Sequence, residues 1–195
     1  MKLRIEPATE HDLPVIVHLV RQLARYEKLE HAMLATQDDF REALFGPQRA
    51  AYALMAFADD AAAGFALYFY NFSTFLGKRG IYLEDIYVEP EHRGRGIGSA
   101  LLNRLARMAQ EQHCGRIEWS VLTWNQPSID FYHRLGAVTL EDWTIFRLQG
   151  DRWSGWQPEQ PGRMQGDACK SILRISNGIT RCCPMMRYWM SIVTN

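Results

Sequence analysis

Apolar positions along the chain change period several times, and each change marks a new element. Lys2–Glu6 alternates, with Leu3 and Ile5 on one side, and predicts a short strand. From Leu13 the period is helical. Leu13, Ile16, Val17, Val20 and Leu23 form one stripe, with Asp12 as N-cap and Pro14 in the first turn, where a missing N–H costs little. A second helix is predicted over Gln37–Phe45, opened by Thr36 and Asp39 at capping-box spacing and stopped by Gly46. Strand character then returns. Ala51–Ala58 and Gly64–Phe72 flank Asp59–Asp60 as a hairpin, and Gly80–Val88 (GIYLEDIYV) is a third apolar run rich in β-branched and aromatic residues. The aromatic run Tyr68–Phe72 is expected in the sheet core, with its end walling a pocket. Gly96–His113 puts Leu101, Leu102, Leu105 and Met108 on one helical face. Arg116–Leu122 predicts a strand and Pro127–Leu135 a helix closed by Gly136. Ala137–Leu140 and Trp143–Leu148 are expected as two final strands. The sum is an α/β domain on a mixed sheet.

Composition narrows the class. The 195 residues are 47% hydrophobic and 23% charged, as in a globular protein. A formal net charge of zero gives no basic footprint, so no nucleic-acid partner is expected. No apolar run reaches the ~18 residues of a spanning helix, and MKLRIEPATE does not resemble a signal peptide. A cytoplasmic protein without a membrane partner is expected. Cys114, Cys169, Cys182 and Cys183 include no CxxC pair and the histidines no HxxxH pair, so neither a disulfide framework nor a metal is expected.

The charge is unevenly spread. Residues 1–150 hold 16 basic and 19 acidic groups, against 6 and 3 from 151 onward, where three of the four Cys and three of the six Trp also lie. A boundary is therefore expected near Asp151, with a domain over 1–151 and an atypical tail over 152–195. The tail has no sustained period. It reads as a shifted reading frame, read-through or cloning-derived sequence, with a regulatory appendage as the alternative.

The most informative stretch is Arg93-Gly94-Arg95-Gly96-Ile97-Gly98-Ser99, between a predicted strand and a predicted helix. Glycines let a backbone approach an anion closely, and the opening helical amides have no internal partner. A pyrophosphate suits such a turn. The glycine spacing is neither GxGxxG nor GxxxxGK[ST], so taken alone the stretch also fits a glycine-rich turn with a solvated basic pair.

Two blocks decide between these. V-x-P-x-x-R-G-x-G-I-G-x-x-L, from Val88 to Leu101, resembles the signature loop of GNAT N-acetyltransferases. Trp124-Asn125-Gln126-Pro127-Ser128-Ile129-Asp130-Phe131-Tyr132, followed by Leu135-Gly136-Ala137, resembles the second block of that family. Arg25-Tyr26-Glu27, Tyr82–Val88 and Asp142-Trp143 are similar to the diamine acetyltransferase branch, which acts on thialysine and on spermidine or spermine. The likeness covers about residues 3–151.

The resemblance implies a GNAT fold: a mixed sheet of six to seven strands, about four helices, and splayed parallel strands over Tyr82–Val88 and Arg116–Leu122 that hold acetyl-CoA. It implies backbone contacts from Ile86, Tyr87 and Val88 to the pantetheine arm. It also implies pyrophosphate on Arg93, Gly94, Arg95, Gly96, Ile97, Gly98 and Ser99, a far wall of Asn125 and Ser128, and a homodimer. The acceptor implied is a primary amine on a small molecule.

An alkyl ammonium has a pKa near 10.4, so only about one molecule in a few thousand is free amine at pH 7. A base is required, and Glu84, ending its strand beside the thioester, is the candidate, directly or through water. Asp85 follows it, and since adjacent strand residues face opposite ways, a bulge is needed to bring both to one substrate. One carboxylate would hold a second ammonium, and Tyr26 and Glu27 are further substrate candidates. The resemblance assigns Tyr132 as the acid that protonates the leaving thiolate. No residue resembles an acyl-enzyme nucleophile, so direct transfer is expected.

By residue type alone these picks have plainer readings. Glu84 could be a solvated strand-end carboxylate, Tyr132 a core aromatic beside Phe131, and Tyr26 and Glu27 helix-end surface residues. His92 and His133 read as exposed side chains rather than catalysts. Acetylation of protein amines and a non-catalytic acyl-CoA sensor remain open alternatives at this level.

Overall fold

Five strands form one sheet in the simple order β1-β2-β3-β4-β5 in a computed structural model that describes residues 1–150. β1 is Leu3–Pro7, β2 Tyr52–Ala58, β3 Ala61–Ser73, β4 Lys78–Val88 and β5 Ile117–Trp119. The helices are α1 (Leu13–Tyr26), α2 (Gln37–Phe45), α3 (Ile97–Glu111) and α4 (Gln126–Arg134). β1 to β4 are antiparallel, and β5 returns parallel to β4 after the α3 crossover. The compact unit holding all of these spans Met1–Thr139, and a second unit is Leu140–Asn195.

Both sheet faces are covered. Leu54, Ala56, Ala66, Ile81 and Leu83 pack on Ile97, Leu101, Leu102, Leu105 and Met108 of α3. Ala53, Met55, Phe65, Leu67 and Tyr87 pack on Ile16, Leu19 and Leu23 of α1 and Leu44 of α2. The α3 face matches its expected stripe. In α1, Leu19 is fully buried and Val20 only half-buried, so the stripe is one residue wider than its period suggested.

Local chemistry explains the boundaries. The Thr36–Asp39 capping box forms: Asp39 N–H donates to Thr36 Oγ1 (3.2 Å) and Thr36 N–H to Asp39 Oδ2 (2.7 Å). Asp12 does not cap α1. Its carboxylate accepts from Thr9 N–H (2.7 Å) and Oγ1 (2.8 Å), closing a 3₁₀ turn over Glu10–Asp12 that leads into the helix. The hairpin turn puts Asp59 (φ 48°) and Asp60 (φ 67°) in the left-handed region that two-residue turns require. Their carboxylates meet Lys2 N–H (2.7 Å) and the Arg4 guanidinium of the β1 segment.

Two expectations are corrected. Among the described residues the sheet has five strands rather than six to seven. Ala137–Leu140 and Trp143–Leu148 form no strand, and Ile145 and Phe146 are 74% and 91% exposed. A strand needs a partner ladder as well as an apolar pattern, and Thr144–Leu148 is apolar on both parities, so its register is weakly specified. The expectations for 152–195 lie outside the described residues.

Candidate active site

β4 and β5 stay in parallel register only from Ile81↔Ile117 to Leu83↔Trp119. Beyond that they diverge and open a cleft of about 600 Å³. Glu84 to Val88 line one side, Ser120 and Val121 the other, and the first turn of α3 and the inner face of α4 close it.

The cleft wall on β4 owes its shape to one residue. Leu67 pairs with Asp85 and Tyr68 with Leu83, so Glu84 is the extra residue of a β-bulge. Before the bulge Ile81 and Leu83 face α3. After it Ile86 and Val88 do, and Tyr87 turns to α1. Glu84 and Asp85 therefore both line the cleft, as the two-carboxylate reading required. Glu27, the residue closing α1, lines it too. Lys28 ends that helix in the left-handed region (φ 61°), and Leu29 N–H bonds back to Ala24 C=O (2.8 Å). Burial raises the Glu27 carboxyl above its ordinary range. Asp85 is pushed up to about 7, first by burial and then by the charges of Glu84 and Glu27. Three clustered carboxylates repel one another and suit a cation.

The opposite end suits an anion. Gly94 (φ 72°) and Gly96 (φ 81°) are left-handed, and a Cβ at either would meet no atom within 4 Å. The turn thus needs glycine for conformation and leaves open space over its backbone. Ala100 N–H is the first amide to find a helical carbonyl, that of Gly96 (2.9 Å). The amides of Ile97, Gly98 and Ser99 lack one and lie in the cleft lining, at the positive end of α3. This backbone set fits a pyrophosphate. The Arg93 side chain is held by the protein: Nε donates to Val88 C=O (2.9 Å) and the guanidinium lies over the rings of Tyr26 (5.1 Å) and Tyr87 (5.3 Å). Arg95 is exposed and does not line the cleft.

α4 is the third wall. Asn125, 5% exposed, caps it by accepting weakly from Ser128 N–H (3.4 Å). Gly136 (φ 87°) ends it, with Ala137 N–H returning to Tyr132 C=O (3.1 Å). Tyr132 stacks obliquely on Trp119 of β5 (5.0 Å), and burial, reinforced by Glu27 and Tyr26, pushes its phenol up to about 12. The phenol therefore stays protonated near neutral pH.

All the sequence candidates except Arg95 line this one cleft. Phe72, at the end of the aromatic run, is 64% exposed and does not. His92 is half-buried in the lining rather than exposed, and its Nδ1 has no partner among the described residues. Sequence reading also missed Leu23, Trp119 and Phe131 as lining residues. Phe131 was legible only through its place in the second block. Among the described residues no His, Cys, Asp and Glu cluster is placed to hold a metal, and no helix is long and apolar enough to cross a membrane.

The family model for the acetyltransferase (GNAT) family matches residues 16–137. The thialysine N-epsilon-acetyltransferase of Bos taurus is 38% identical over 158 residues, covering 75% of this chain and 92% of the relative. The L-ornithine N5-acetyltransferase NATA1 of Arabidopsis thaliana is 30% identical over 193 residues, covering 76% and 85%. Among solved structures, an integron cassette protein from the mobile metagenome of V. cholerae superposes with a TM-score of 0.66 at 25% identity, covering 79% of this chain and 96% of its own.

Proposed function

The chain belongs to the GNAT acetyltransferase family and is an acetyl-CoA-dependent N-acetyltransferase; from that premise we propose that its acceptor is a small-molecule primary amine carrying a second cationic group, a diamine, polyamine or lysine analogue. The observation that carries the proposal is the convergence of Glu27, Glu84 and Asp85 on the cleft. An amine with one charge needs one carboxylate, and a second charge gives the others a partner that relieves their mutual repulsion.

Acetyl-CoA supplies the activated acyl carbon. The amides of Ile97, Gly98 and Ser99 would hold its pyrophosphate, and the Ile86–Val88 backbone would align its pantetheine arm. Glu84, exposed at the bulge and open to solvent, takes the ammonium proton directly or through a water. Asp85 and Glu27 hold the second ammonium. Tyr132 donates a hydrogen bond to the departing sulfur, moving its proton as the carbon–sulfur bond breaks. Transfer is direct, with the amine attacking the acyl carbon itself, since no cysteine lines the cleft to carry the acyl group. A second reading makes Asp85 the base, because a carboxyl titrating at about 7 is the stronger proton acceptor.

The test is acetyl-CoA consumption against lysine analogues, diamines, polyamines, aminoglycosides and peptide N-termini. Diamines or lysine analogues should turn over fastest. Faster turnover of peptides would overturn the acceptor class, and no turnover with any amine would favour a sensor. A cytoplasmic homodimer belongs to the same proposal, and a monomer mass in light scattering at micromolar concentration would reject the dimer.

A further inference from the structure

Tyr26 was a candidate ligand for the amine, but its side chain is committed elsewhere. Its hydroxyl donates to Asn125 Oδ1 at 3.0 Å, a bond spanning 99 residues of chain from the end of α1 to the start of α4. That oxygen is the one that caps α4 through Ser128 N–H, and the Asn125 carbonyl accepts from the Ser128 and Ile129 amides at 3.1 Å each. The Tyr26 ring lies under the Arg93 guanidinium at 5.1 Å, which ties the glycine turn to Val88. One side chain thus touches the residue that caps the acid-bearing helix and the residue that holds the phosphate turn.

We propose that Tyr26 is a positioning residue. Its hydroxyl orients the Asn125 cap, and through it α4 and Tyr132, while its ring backs Arg93, so the spacing of the two walls is set by a side chain that need not touch the amine. The chemistry requires such a device. The leaving sulfur is delivered by one wall and the proton by the other, and a misplacement of about 1 Å costs far more rate than affinity. Nothing else among the described residues makes a side-chain hydrogen bond between α1 and α4. The effect on turnover rests on Tyr132 as the acid, whereas the cap geometry does not.

The experiment compares Tyr26→Phe, Asn125→Ala, their double variant, Asn125→Asp and Tyr132→Phe with wild type. It reads kcat, both KM values and the hydrogen exchange of the Ser128 and Ile129 amides. Tyr26→Phe should lower kcat about tenfold, as expected for one lost orienting hydrogen bond, and leave the amine KM within about twofold. Exchange at Ser128 and Ile129 should quicken. Adding Tyr26→Phe to Asn125→Ala should cost nothing further, and Asn125→Asp should keep exchange at Ser128 and Ile129 slow, since a carboxylate accepts from both Tyr26 and Ser128. A raised amine KM with kcat and exchange unchanged would overturn the proposal and make the hydroxyl an amine ligand. Additive losses in the double variant would overturn it as well. If Tyr132→Phe is silent, the acid assignment fails, and quickened exchange in Tyr26→Phe still upholds the positioning role, while unchanged exchange removes it.

Discussion

The turn from Arg93 to Ser99 presents backbone to the cleft, whereas the wall of Glu27, Glu84 and Asp85 presents side chains. The first needs two left-handed glycines, a helix end and empty space, all set by local conformation. The second needs a bulge in β4 and a helix end brought beside it from residues far away in sequence. A backbone site tolerates changes of side chain as long as its conformation is kept, whereas a side-chain site changes its chemistry with a single substitution. The two walls should therefore fail differently when altered.

The largest effects belong to the chemistry. Glu84→Gln keeps size but cannot accept a proton, and turnover at pH 7 should fall by ~100-fold or more. Alkaline pH should partly restore it, because free amine then becomes abundant. Tyr132→Phe should slow turnover comparably, with acetyl-CoA affinity kept and no alkaline rescue through the amine. Wild-type turnover for both variants would leave the side-chain wall without its assigned chemistry. A loss in Glu84→Gln without rescue would pass the base role to Asp85.

On the backbone side, Gly96→Val should weaken CoA by roughly tenfold or more, because a β-branched residue resists a φ of 81° and the turn must reshape. Titration calorimetry with CoA reads this directly. Unchanged affinity in a folded variant would mean that the turn does not hold the ligand.

How much of this was legible follows the same division. The glycine turn leading into α3 could be read from seven consecutive residues because its geometry is local. The helical stripes of α1 and α3 were equally readable, since one periodic face decides them. The Glu84 bulge left a trace in the sequence, the shift of apolar parity from Ile81 and Leu83 to Ile86 and Val88. Its reason appears only when β3 is paired. Tyr26 bonding to Asn125 across 99 residues had no local signature at all. The expected strands at 137–148 failed for the converse reason: a pattern was present, and no ladder among the described residues receives it.

Asp85 gives a smaller effect with a definite sign. Its carboxyl is raised to about 7 in the folded protein, against about 3.9 when unfolded. The folded state therefore holds that proton more tightly, and stability is lost as pH rises between those values. Asp85→Asn removes the buried charge. It should melt several degrees above wild type at pH 8 and close to it at about pH 4. Diamine affinity in wild type should rise roughly tenfold through pH 7 as Asp85 ionises, and stay flat and low in Asp85→Asn. Equal melting differences at both pH values would show that Asp85 is not the titrating group.

The smallest expected effect separates two glycines of one motif. Gly98 is inside the first turn of α3 with ordinary helical backbone, unlike Gly94 and Gly96. A Cβ there would stand 3.5 Å from Phe131 Cζ and 4.0 Å from Val88 Cγ2, which is van der Waals contact rather than overlap. Alanine also favours a helix over glycine by ~1 kcal/mol. Gly98→Ala should thus bind CoA within about threefold of wild type and melt no lower, whereas Gly96→Ala, strained at φ 81°, should lose both affinity and stability. Gly98→Val, whose extra methyls press on Phe131, should fall between Gly98→Ala and Gly96→Val. Calorimetry and thermal melts on the four variants give the order. If Gly98→Ala proves as damaging to CoA binding as Gly96→Ala in a protein that still melts normally, then the ligand lies against the Gly98 backbone itself, and the contact surface of the turn extends one step further into the helix than conformation alone requires.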